Sequence, residues 1–260
     1  MKQNKDWKKT KTIYWSDELN DDFDEVGLKR PPVPENYRYL RKFHVLGWIA
    51  YYLFGKPILG TYCFFHGIRM KGKENLKEVR NKGYFLYANH VAIADCFKYA
   101  AYCVPIKRIN VIGYSDTLSM KGVGGIAKAL GYLPIPTDIN NLKKMEDAIQ
   151  TLVNKKEVIL IFPEAHIWPY YTKIRNFKDV SFIYPAKFDK PVVPAVTVWR
   201  GKQGKKPKQT VIFCKPIYPN PELTPLENKK FLHEQCLLEM KEVADKYNEV
   251  EYIKYVQVED

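Results

Sequence analysis

Among the five cysteines, Cys63, Cys96, Cys103, Cys214 and Cys236, there is no Cys-x-x-Cys pair and no spacing that suits a zinc site. That excludes a cysteine-built metal centre, and an odd, scattered set fits reduced, buried thiols in a cytoplasmic protein. Long hydrophobic runs are also missing, since no uninterrupted apolar stretch reaches the roughly 20 residues of a membrane span. The basic N-terminus MKQNKDWKKT has no apolar segment directly behind it, so it does not read as a secretory signal. No internal repeat or low-complexity tract is found, which argues against a solenoid. Negative charge is in short supply: 29 acidic against 42 basic residues leave a formal net charge of +13. A field of that sign draws phosphate-bearing partners, whether nucleic acid, an anionic membrane surface or a phosphorylated substrate. No nucleic-acid-binding module is recognisable, so nucleic acid is not expected as a partner.

What is present falls into three parts. Residues 1–40 read as an extended surface arm with aromatic anchors. Its basic start gives way to an acidic run from Asp17 to Glu25, and Pro31, Pro32 and Pro34 block regular structure. Residues 41–70 contain the most apolar stretch, His44–Met70, interrupted by Lys56 and Pro57. With Trp48, Tyr51, Tyr52 and Tyr62 it reads as a membrane-interfacial helical segment, and a buried core hairpin is the alternative. Residues 71–260 alternate strand and helix patterns, pointing to one α/β domain. Strands are expected at 84–88, 109–113, 158–162, 192–198 and 211–214. Leu142, Met145, Ile149, Leu152 and Val153 share a helical face, and Thr224-Pro225-Leu226-Glu227 has the form of a capping box opening a C-terminal helix.

The first of these strands runs straight into Asn89 and His90, and Asp95 follows five residues later. Within one continuous helix those five residues turn the chain by about 500°, which would point the two side chains apart. If His90 lies in the loop and the helix starts after it, Asp95 can reach back. A carboxylate there would hold one imidazole nitrogen and leave the other as a general base. The place suits a site, because ligands of open α/β sheets bind beyond the carboxyl ends of the strands.

Further motifs follow in order. Asn89-His90-x4-Asp95 resembles the first block of the glycerolipid acyltransferases, the lysophosphatidate and glycerol-phosphate acyltransferase family. Lys71-Gly72-Lys73-Glu74-Asn75-Leu76 is similar to the stretch that precedes it. Gly131-Tyr132-Leu133-Pro134-Ile135, Phe162-Pro163-Glu164 and Val193-Pro194 are similar to the second, third and fourth blocks, and the resemblance covers about residues 68–200. It implies a glycerol-phosphate-acyltransferase-like α/β fold, a mixed sheet flanked by helices behind an N-terminal membrane-interfacial segment. It also implies His90 and Asp95 as the catalytic pair and Glu164 as an acceptor-binding group. Transfer would run from acyl-CoA or acyl carrier protein to a lysophospholipid, with 1-acylglycerol-3-phosphate leading; the alternatives are a catalytically altered lipid-binding member of the fold or an acyltransferase for a non-phosphate acceptor. No covalent acyl-enzyme, metal or cofactor is implied. The expected location is the cytoplasmic face of an anionic membrane, peripheral or monotopic.

The blocks also depart from the family pattern. Pro136-Thr137 stands where the second block usually has Asp-Arg. Ala165-His166-Ile167 stands where the third has Gly-Thr-Arg. In the family those arginines are taken to hold the acceptor phosphate, for which a bidentate guanidinium is well shaped. Lys173, Arg175 and Lys178, shortly downstream, are candidates to supply that charge, with a solvated basic loop as the alternative. His166 reads as a pocket or core histidine. Trp168, Pro169, Tyr170 and Tyr171 would line an acyl channel or simply pack. The basic run Gly201–Lys208 reads as a loop between strands that is either solvated or in contact with anionic lipid or an acidic carrier protein.

Overall fold

The computed structural model describes residues 10–23, 31–40, 49–92, 95–102, 107–119, 124, 127, 131–202 and 204–258. Trp48, Glu25 and Cys103 lie outside them. Seven strands form one sheet in the order β2-β8-β7-β3-β6-β4-β5. They are β2 (Arg69–Lys71), β3 (Tyr84–Ala88), β4 (Ile109–Gly113), β5 (Tyr132–Pro134), β6 (Val158–Ile161), β7 (Val192–Arg200) and β8 (Lys208–Phe213). Among the described residues, β7 and β8 pair antiparallel and the other neighbours in this sheet pair in parallel, so the sheet is mixed, as expected. The five residues of β3 are all buried, consistent with a central strand covered on both faces. Phe85 and Tyr87 join one core with Met145, Ile149, Leu232 and Met240. Tyr84, Leu86 and Ala88 point into the other core, with Tyr99 and Val79.

The first core is roofed by α3 (Ile139–Asn154), α4 (Ile183–Phe188) and α5 (Pro225–Tyr247). Asp138 caps α3, accepting from Asn141 N at 2.7 Å. The capping box of α5 is present, with Thr224 and Glu227 bonded reciprocally and Pro225 at the first helical position. The second core is covered by α2 (Asp95–Tyr102), with α1 (Lys56–Phe65) beside it. A π-helical stretch, Ala50–Gly55, leads into α1. Tyr51 and Cys63 are buried here, while Ile58, Phe64 and Phe65 are exposed by 65%, 75% and 79%. The segment therefore docks on the domain with one face and leaves a second apolar face uncovered. Among the described residues no helix is long and apolar enough to cross a membrane.

Residues 10–23 and 31–40 of the arm are described. Its strand β1 (Lys11–Trp15) pairs in parallel with β9 (Ile253–Gln257), Lys11 opposite Ile253, in a separate two-stranded sheet. From there Ser16–Phe23 runs across the loop after β6, with Trp15 and Phe23 against Trp168.

Candidate active site

His90 and Asp95 meet at the carboxyl end of β3. Asp95 is the first residue of α2, and its Oδ2 accepts from Val91 N at 2.8 Å and Ala92 N at 2.9 Å. These bonds fold the loop back, so the carboxylate reaches the histidine it follows. Oδ2 lies 3.1 Å from His90 Nδ1, and with that nitrogen donating, Nε2 is left to act as a base. The imidazole stacks on Phe162 at 4.2 Å and 19°. Asn89, just before His90, is pinned to β7, accepting from Thr197 N at 2.7 Å and donating to Thr197 O at 3.1 Å.

Two buried ion pairs flank the histidine. In the first, Lys98 Nζ lies 2.5 Å from Asp95 Oδ1, 2.7 Å from Thr197 Oγ1 and 3.3 Å from Gln209 Oε1. Burial alone would raise the Asp95 carboxyl, but Lys98 and then His90 outweigh it and hold it below its usual range. In the second, Glu164 follows β6. Its Oε2 accepts from His90 N at 3.0 Å, and its Oε1 accepts from Arg175 N at 2.9 Å. The Arg175 guanidinium lies 3.6 Å from Oε2. Burial pushes Glu164 up from the ordinary glutamate value, and Arg175 opposes it.

The resemblance assigns Glu164 to the acceptor, but its oxygens serve His90 and Arg175, and the residue is only 4% exposed. Arg175 is 0% exposed, so a phosphate outside the protein cannot reach it without rearrangement. Its guanidinium lies over Trp168 at 4.8 Å, donates to the His166 carbonyl and reaches the Glu18 carbonyl of the arm at 3.3 Å. Lys173 and Lys178 on the same loop are exposed. His166 pairs with Asp22 of the arm at 3.0 Å, and Trp168 Nε1 donates to Asp21 O at 2.8 Å. Trp168 thus packs beneath the arm. Ala165, at the glycine position of the third block, holds φ 65°.

Residues 67–198 match the family model described as Acyltransferase. The chain belongs to the Acyltransferase family. The matched stretch runs from just before β2 into β7 and so includes both arms of the site, His90 with Asp95 and Glu164 with Arg175. The fold of this acyltransferase is also similar to the crystal structure of the 1-acyl-sn-glycerophosphate (LPA) acyltransferase PlsC from Thermotoga maritima. TM-score is 0.55 at 18% identity over 76% of this chain and 80% of that one. A search of curated proteins found no match. Lys98, with its partners Thr197 and Gln209, had not been expected in the site. The available signal was small: one lysine in the otherwise uncharged stretch Cys96–Tyr102, three residues after Asp95.

Proposed function

We propose that this acyltransferase moves a fatty acyl group from an acyl thioester to the hydroxyl of a lysophospholipid, with His90 as general base. The leading acceptor is 1-acylglycerol-3-phosphate, giving phosphatidate. The observation that carries the reading is the 3.1 Å bond from His90 Nδ1 to Asp95 Oδ2, which leaves Nε2 as the base at the carboxyl end of β3. Nε2 takes the hydroxyl proton as the oxygen attacks the thioester carbonyl. Collapse of the tetrahedral adduct breaks the C–S bond, and the proton passes to the leaving thiolate. A cysteine nucleophile is not needed, and burial pushes the Cys63 thiol up to about 11 and Cys96 and Cys214 up to about 12.

Glu164 and Arg175 act from beneath by joining the His90 loop to the third-block loop, and Lys173 and Lys178 are the exposed cations that would meet an acceptor phosphate. The uncovered face of α1, with exposed Arg69 shortly after it, would seat the protein on the cytoplasmic face of an anionic membrane, where acyl-CoA or acyl carrier protein delivers the donor. The burial of Arg175 favours a second reading in which the acceptor carries no phosphate monoester. His90→Ala is expected to abolish acyl transfer while leaving the fold intact by circular dichroism; retained transfer refutes the base assignment. Assaying both donors against 1-acylglycerol-3-phosphate, lysophospholipids with larger headgroups and neutral alcohols separates the two acceptor readings.

A further inference from the structure

His90 sits between two carboxylates, and each has its own buried cation: Arg175 for Glu164 and Lys98 for Asp95. Lys98 is 2% exposed and spends all three of its donors on Asp95, Thr197 of β7 and Gln209 of β8. The Tyr99 ring lies 5.5 Å from its ammonium. The titratable thiols that feel it, Cys63 of α1 and Cys96 of α2, are pushed up to about 11 and 12 and stay neutral. Asp95 is therefore the anion that Lys98 balances.

A histidine beside an unbalanced buried carboxylate is drawn toward imidazolium, because opposite charge favours the charged form. An imidazolium has no lone pair with which to accept a proton. A cation behind the carboxylate cancels that pull, yet leaves Oδ2 in place to hold Nδ1–H. We infer that Lys98 is a positioning residue that sets the basicity of His90 through Asp95, offsetting the carboxylate's charge while Oδ2 stays on Nδ1. The inference rests on His90 being the general base.

The test compares pH profiles of kcat/KM for the wild type, Lys98→Gln, Lys98→Met and Lys98→Arg. Without the cation, the acid limb moves to higher pH by about one unit, so activity on that limb falls roughly tenfold. Lys98→Arg keeps the charge and leaves the limb where it was. A uniform loss at every pH with an unmoved limb, as from a merely structural residue, overturns the inference. So does a limb that moves down, or one that moves in Lys98→Arg. Lys98→Met retains the apolar stem and serves where Lys98→Gln does not fold. NMR of the labelled histidines, with the His90 signal assigned by its loss in His90→Ala, reads the same link without turnover. The signal is expected to titrate at higher pH in Lys98→Gln than in the wild type, and an unchanged titration ends the inference. Retained activity in His90→Ala ends the general-base reading instead, so the two failures are distinguishable.

Discussion

Replacing Arg175 by methionine removes a buried cation while keeping much of its volume. The loss leaves Glu164 without its counter-charge, at a site where both groups are almost wholly buried. Breaking a buried pair by deleting one partner costs roughly 3–5 kcal/mol, and full burial means that solvent screening gives little discount. The carbonyls of His166 and Glu18 lose a donor as well. Unfolding entropy is about 2.1 cal/mol/K per residue, or about 0.55 kcal/mol/K for 260 residues. The melting temperature should therefore fall by about 5–9 °C near neutral pH, as read by calorimetry or circular dichroism. The pH dependence gives a second check. Burial already raises Glu164, and removing Arg175 raises it further. A carboxyl raised in the folded state contributes its stability below the unfolded value and loses it as pH rises through the folded one. The gap between wild type and variant should thus narrow in acid, where Glu164 is protonated in both, and widen toward alkaline pH. A shift of under about 2 °C at neutral pH, or a gap that widens in acid, would refute the reasoning. Adding Glu164→Gln to the variant should recover part of the loss.

Two further substitutions probe the backbone. Ala165→Gly should raise the melting temperature by about 1–2 °C, because relief of the left-handed conformation exceeds the extra chain entropy of glycine by about 0.5–1 kcal/mol. A lower melting temperature would count against strain in the third block. Gly83→Ala should destabilise by at least about 1–3 kcal/mol in urea titration, since an added Cβ runs into the Val153 carbonyl at the entry to β3. An unchanged midpoint would show that the approach relaxes freely.

The legible parts of the fold were those specified by local pattern. β3 and β4 fall at the expected residues because each is a short, mostly apolar run closed by turn residues, and the stripe from Leu142 to Val153 lies within α3. The three-residue strands β2 and β5 are too short to show a period. β1 was hidden for another reason: its partner is at the far end of the chain. In the site, His90 and Asp95 were readable as a motif, whereas the bonds to Val91 N and Ala92 N that let them meet depend on the loop's path. Lys173, Arg175 and Lys178 look alike in sequence, three cations within six residues. Trp168 and the arm make one of them a core residue, and neither leaves a mark on the residues between Lys173 and Lys178.

The β1–β9 pairing has a consequence for biosynthesis. Parallel strands so distant in sequence close a very long loop and pair only once the chain between them is in place. Until residues 253–257 have emerged from the ribosome, Lys11–Trp15 has no strand to join, and Tyr255, which stacks on Trp168, is not in place. The nascent domain can thus build its sheet and bring His90 to Asp95 while the third-block loop stays open to solvent. Emergence of β9 is what lets the loop be sealed.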